Sequence, residues 1–198
     1  MRSAKNVVFI AIMGALGNVL SGLSILLAPF IPAISLGPYS ISVALDLSHL
    51  TTFIAALYGG PTVGGLTGLI GGLIAANEFG FSKGNLVTGF AMPVGKALTG
   101  ITAGLVMQAL RLQSRNRRSL FLIASTLFAY IPEAIFTAFL FLGIFPFVFG
   151  TPAFILYPIV IAILIKGTIE MFAEGGVLAA LCRNQSFESS VGRFFTAS

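Results

Sequence analysis

From Asn6 to Phe30 the chain carries no charged residue, and from Leu120 to Gly143 it carries one, Glu133. Runs of this length are what a bilayer-spanning helix requires, about 20 mostly apolar residues. A soluble helix, with one face in water, keeps a polar stripe that these runs lack. The rest of the chain agrees. Of 198 residues, 57% are hydrophobic and 9% charged, against roughly 25% charged in a soluble domain, and mean hydropathy is +1.01. The reading is an all-α integral membrane protein forming one domain, residues 1–198. A chain of this length holds about six spans with short connections and no sizeable water-soluble domain.

Breakers divide the runs. Pro29, Pro32, Gly37 and Pro38 mark an extended first connection, because proline removes a helix hydrogen bond and disfavours helix before it. Gly59-Gly60-Pro61 is a tight turn, Asn77 to Asn85 a polar segment, Arg111 to Arg118 a basic loop, and Pro146, Gly150 and Pro152 the last connection. These limits predict helices over about 6–30, 41–58, 62–76, 86–110, 120–143 and 153–181. The second and third runs are short enough that a re-entrant arrangement stays open. With six crossings, Arg2, Lys5, Arg111, Arg115, Arg117, Arg118, Arg183 and Arg193 share one face, and Lys83 stands alone on the other. The positive-inside rule puts both termini in the cytoplasm and the chain, multi-pass, in the cell membrane. Five crossings would split the basic residues across both faces.

The net charge of +5 is thus explained by topology, and no dense basic stripe suggests a nucleic acid. The start, Met1 to Lys5 with an apolar run behind it, has the outline of a signal peptide. That run is too long for an h-region and lacks a convincing cleavage site, so it is read as the first helix. Cys182 is the only cysteine, so one chain can build neither a disulfide nor a Cys-rich metal site. No internal repeat supports an inverted-repeat transporter.

Gly60, Gly64, Gly68 and Gly72 recur every four residues and lie along one helix face, which lets another helix approach closely. Packing within the chain is the plain reading. Ala11, Ala15 and the nearby Gly14, Gly17, Ser21 and Gly22 make a second small-residue surface in the first helix.

Seven ionisable residues fall inside apolar runs: Asp46, His49, Lys96, Glu133, Lys166, Glu170 and Glu174. Each is costly at bilayer depth unless paired or wet, so each is a functional candidate. Lys166, Glu170 and Glu174, spaced by four, share a face and can neutralise one another; a structural salt bridge is the plain alternative, and Glu174 is placed near enough to the cytoplasm to reach interfacial water. Asp46, placed in the second helix, and His49 are near enough to bond each other, or His49 is a core histidine satisfied by a backbone carbonyl. Lys96 and Lys166 stand in the outer half with Glu133 and Asp46 as partners, where they offer donors to an anionic or carbonyl-rich ligand. Asp46, Asn85, Lys96, Glu133, Lys166 and Glu170 are the candidate substrate-binding residues. Most of the Phe-rich stretch from Phe136 to Phe154 is expected to face lipid or core, with a few rings left to stack on a flat ligand.

Leu45-Asp46-Leu47-Ser48-His49-Leu50, followed by Phe53 to Tyr58 and Gly59-Gly60-Pro61-Thr62-Val63-Gly64, resembles the substrate-binding S-components of energy-coupling factor (ECF) vitamin transporters, most closely the riboflavin branch. That branch carries D-F-S-D-I-P before a G-P-x-x-G turn; Asp46 and Ser48 match, while His49 stands for its second acid and Thr51 for its proline. Ile163-Leu164-Ile165-Lys166-Gly167 is similar to its N-L-I-K-G, with Ile163 in place of the asparagine. Ala11-Ile12-Met13-Gly14-Ala15 looks like the family's Ala-x-x-x-Ala element. The resemblance implies a six-helix subunit that captures a vitamin or related molecule, riboflavin first. It implies that Ala11 and Ala15 touch a transmembrane coupling subunit, and that two partner ATPases drive toppling and release inside. The chain has no G-x-x-x-x-G-K-[ST] loop, so nucleotide hydrolysis belongs to partners.

Three other classes stay open, among them a pure membrane scaffold, which would bind no small molecule. A secondary transporter or channel would use the buried Lys and Glu residues as a proton relay. A small membrane enzyme is disfavoured by one Asp, one His and one Cys, too few for a metal or nucleophile constellation. No catalytic residue, metal or cofactor is expected.

Overall fold

The computed structural model describes residues 2–31, 33–36, 39–42, 45–112 and 119–196. Helix α1 (Arg2–Leu27) closes in a 3-10 turn, Ala28–Phe30, with Pro29 in its first turn. Strands β1 (Ala33–Leu36) and β2 (Tyr39–Ser42) then pair antiparallel, Ala33 opposite Ser42 and Leu36 opposite Tyr39. Helix α2 (Ser48–Gly59) therefore starts at Ser48, well after the Ile41 start that hydropathy predicts. Serine and isoleucine alternate over Ser40-Ile41-Ser42, and that period suits a strand. Among the described residues the regular structure is all helix apart from this two-stranded ribbon.

Gly60, at φ 84, turns the chain from α2 into α3 (Pro61–Gly71), a backbone conformation that glycine adopts without strain. After Gly72 come α4 (Leu73–Phe79) and α5 (Leu86–Ala109). Helix α6 (Ser119–Phe139) passes through a π-helical segment, Leu140–Ile144, into α7 (Phe145–Phe149), so helix continues past the Gly143 limit predicted from sequence. Pro146 has no N–H for the carbonyl four residues back, and the wider turn just before it takes up the mismatch. Gly150, left-handed at φ 65, stops the helix. Helix α8 (Ala153–Arg183) follows. The last helix, α9 (Gln185–Thr196), is absent from the sequence reading. Asn184 caps it, Oδ1 accepting from the Ser186 and Phe187 N–H groups at 2.9 and 3.2 Å. Phe187, Val191 and Phe194 pack on the core, with the Phe194 ring 5.5 Å from that of Phe9.

Among the described residues, four helical stretches are long and apolar enough to cross a membrane: Ala4–Phe30, Leu86–Ala109, Ser119–Phe149 and Ala153–Arg183. Helix α2 has 12 residues and is about 18 Å long, shorter than a hydrocarbon core of roughly 30 Å.

The glycine face of α3 meets α5 backbone to backbone. A Cβ at Gly64 would stand 2.6 Å from the Gly100 carbonyl oxygen, and one at Gly72 would stand 2.8 Å from Pro93 Cα. Gly68 faces the Lys96 carbonyl, and Gly104 on α5 faces Pro61. Gly14 and Gly17 of α1 sit instead against side chains, those of Ile70 and Thr51. Phe53, Leu57, Met107, Leu122, Met171 and Leu178, all fully buried, join α2, α5, α6 and α8 around the centre. The glycine contacts fix where α5 lies and hence where its other face opens.

Candidate functional site

That other face borders a cavity of about 470 Å³ enclosed by α5, α6 and α8, with residues from α4 and from the head of α2. The size suits a small organic molecule, since ligand pockets run from roughly 300 to 1,000 Å³. All six candidate substrate residues, Asp46, Asn85, Lys96, Glu133, Lys166 and Glu170, line it.

Asp46 lies just before α2, not within it. Its Oδ1 accepts from the Ser48 N–H at 3.0 Å, an Asx turn leading into α2. Its Oδ2 accepts from Ser21 on α1 at 3.2 Å and pairs with Lys96 Nζ at 3.4 Å. Lys96, 5% exposed, also donates to Ser48 Oγ. Glu170 Oε1 accepts the Asp46 N–H at 2.8 Å and pairs with Lys166 Nζ at 3.1 Å. A single loop residue thus joins α1, α2, α5 and α8. The negative groups gather at the start of α2, where the helix dipole favours them.

A second pair stands across the cavity. His49 Nε2 lies 3.2 Å from Glu133 Oε2, and Thr99 Oγ1 donates to the same oxygen. This replaces both bonds expected for His49, to Asp46 or to a backbone carbonyl. Thr99 follows Lys96 by three residues and so shares its face of α5; that spacing was available in the sequence. Ser48 and Thr99 are not singled out as site residues from sequence because their partners, Lys96 and Glu133, come from other helices; Tyr130, on the wall, has no sequence signal either.

Asn85 lines the cavity while its Oδ1 caps α5, accepting from the Thr88 N–H at 3.0 Å. Ile163, Lys166 and Gly167 line the α8 side. Phe79, Phe136, Phe141 and Phe145 supply aromatic wall, whereas Phe139, Phe147 and Phe154 point outward at 62%, 91% and 71% exposure. The π segment places Leu140 and Phe141 on the wall, a common location for such an irregularity.

Glu174 does not reach an interface as expected. It is 0% exposed, and neither oxygen has a hydrogen-bond partner among the described residues, although the His49 N–H lies near. Ala11 and Ala15 are exposed on α1, while Gly14 and Gly17 are turned inward, away from that face. Arg115, Arg117 and Arg118 fall outside the described residues. Among those described, no cluster of three or more His, Cys, Asp or Glu side chains is placed to hold a metal ion.

Such a cavity can bind and orient a flat, partly polar molecule. Residues 5–178 match the sequence model of the family described as ECF transporter, substrate-specific component. No curated protein and no solved structure matches the chain.

Proposed function

The chain belongs to the family of ECF transporter substrate-specific components, and from that premise we propose that it captures a vitamin-sized heteroaromatic molecule in the cavity between α5, α6 and α8. The family is one of transporter substrate-binding components, not of enzymes. The observation that carries the reading is a cavity of about 470 Å³ whose wall combines five charged side chains with four phenylalanines. Asp46, Asn85, Lys96, Glu133, Lys166 and Glu170 are the proposed substrate contacts.

In this reading the chain crosses the membrane six times as one domain. Helix α2 together with the segment before it makes the second crossing, and α3 with α4 makes the third. The cavity opens outward, both termini lie in the cytoplasm, and the basic residues at the ends of α1, α5 and α8 follow the positive-inside rule. The exposed Ala11 and Ala15 offer the coupling subunit of an ECF module a flat contact surface. Two ATPase subunits of that module supply the energy. Riboflavin is the reference ligand, favoured by the Lys166-Gly167 motif; Ile163, on the cavity wall, sets an aliphatic side chain where that branch has asparagine.

The test is to purify the protein without added ligand, identify any bound small molecule by mass spectrometry, and titrate the apo protein with a vitamin panel. Retention or submicromolar binding of one panel member is expected, with uptake into vesicles only when the ECF module and ATP are present. Binding of no member would sink the capture reading, and uptake without ATP would favour a secondary transporter.

A further inference from the structure

We infer that Asn18 of α1 is a positioning residue for the cavity, its side-chain amide wedged into the backbone between α3 and α4 so that Ala75 and Phe79 reach the wall. Asn18 Nδ2 donates to the Ile70 carbonyl at 2.8 Å, and the Ile74 N–H donates to Asn18 Oδ1 at 3.0 Å. In an unbroken helix those two backbone groups, four residues apart, bond each other. One amide from another helix thus takes the place of one rung, and the helix is interrupted at Gly72, between α3 and α4. A side chain inserted into the ladder in this way is a known cause of a sharp bend.

The surroundings hold the wedge in place. Asn18 stands in an uncharged run, where a polar side chain is held by bonding across to another helix. Gly71 lies on α1, since a Cβ there would be 3.7 Å from the Gly14 carbonyl oxygen and from Gly17 Cα. Gly72 lies on α5, where a Cβ would be 2.8 Å from Pro93 Cα. The chain is therefore pinched between α1 and α5 at the point where the rung is replaced.

The interruption decides which way α4 faces. Gly64 and Gly68 before it and Gly80 after it all abut α5, opposite Gly100, Lys96 and Gly89. A regular helix turns about 100° per residue, so between Gly64 and Gly80 its contact face would rotate roughly 160° away from α5. The break at Gly72 offsets part of that rotation. It keeps α4 alongside α5, where Ala75, 2% exposed, and Phe79 line the cavity. The inference rests on the capture reading for the use of the cavity, whereas the wedge itself is backbone geometry.

The experiment uses the full chain in lipid nanodiscs with spin labels at Asn77→Cys, exposed on α4, and Ile135→Cys, 65% exposed on α6. Cys182→Ala removes the one native thiol, and pulsed electron paramagnetic resonance reads the separation of the labels. Asn18→Leu, similar in shape but without donor or acceptor, lets the Ile74 N–H return to the Ile70 carbonyl. It should shift the mean separation by about 2–3 Å, which a change of roughly 20° produces at a point about 7.5 Å along α4 from Gly72. Asn18→Gln keeps the amide and should stay closer to the unsubstituted chain. Asn18→Ala is read in the same way where the leucine variant does not fold. An unchanged separation in the folded leucine or alanine variant, even with a lower melting temperature, makes Asn18 merely structural and overturns the inference. An equally large shift in the glutamine variant overturns it too. The readout needs no ligand, so failure of every panel vitamin to bind overturns the capture reading alone.

Discussion

Helix α5 has two sides built on opposite rules. Towards α3 it offers Gly100 and Gly104, and the facing residues are Gly64 and Pro61, so main chains touch with no side chain between them. Towards α6 and α8 it offers Thr88, Gly95 and Lys96, and the helices stand apart around a cavity. The first side is specified by what is missing, since any added carbon collides. The second is specified by a set of charges that make sense only together. A rigid side of this kind lets the open side keep its shape, because α5 cannot slide to fill the cavity.

The largest expected effect breaks the charged side. Lys96→Met leaves Asp46 at the head of α2 without its cation, and removing one partner of a buried pair costs about 3–5 kcal/mol. The variant should lose most of its thermal stability in detergent, followed by size-exclusion chromatography after heating. Pairing it with Asp46→Asn should recover a large part of the loss, because the uncompensated charge goes too. If the single variant melts like the wild type, the cavity side is held by packing instead, and the contrast between the two sides of α5 disappears.

Next comes the glycine side. Gly64→Leu sets a branched side chain where even a Cβ would be 2.6 Å from the Gly100 carbonyl. Overpacking of this kind costs about 2–3 kcal/mol. Its effect on ligand affinity among the surviving folded molecules should be small, provided α5 keeps its position. A large fall in affinity with little fall in stability would show that α5 moves readily and that the two sides are mechanically coupled.

Glu174 tests the same contrast from beneath α2. A carboxyl with no exposure and no partner among the described residues is costly to bury. Glu174→Met keeps the volume and removes the polar group, and a gain of about 1–2 kcal/mol in thermal stability is expected. A loss would mean that the carboxyl supports the first turn of α2 through the nearby His49 N–H.

The difference between the two sides also explains what the sequence revealed. Glycines four apart on α3 announce a helix contact by local spacing, and Lys166 and Glu170 announce a pair in the same way. Asp46 with Lys96, and His49 with Glu133, join residues 50 and 84 positions apart, and no local pattern encodes that. Hydropathy read Ile41 to Tyr58 as one helix because it sums apolarity and ignores the period-two alternation that makes β2. It also passed over α9, whose polar average hides the apolar stripe of Phe187, Val191 and Phe194. The six candidate residues converge because each polar group inside an apolar run needs a partner, and the partners lie together. Their roles remain encoded only in the three-dimensional pairing.

The smallest expected effect comes from a glycine that obeys neither rule. Gly176 lies in α8 with nothing within 4 Å of where a Cβ would be. It is neither a contact point, as Gly64 is, nor part of the cavity wall, as Gly95 and Gly167 are. Gly176→Ala removes backbone freedom from the unfolded chain without creating a collision, so stability should rise by about 0.4–1 kcal/mol. Ligand affinity should not change. A similar gain at Gly175, whose Cβ would strike Thr126 and the Ile123 backbone, is excluded by the same geometry. Measuring the adjacent pair by thermal unfolding therefore separates glycine used for close approach from glycine merely tolerated, one residue apart on the same helix.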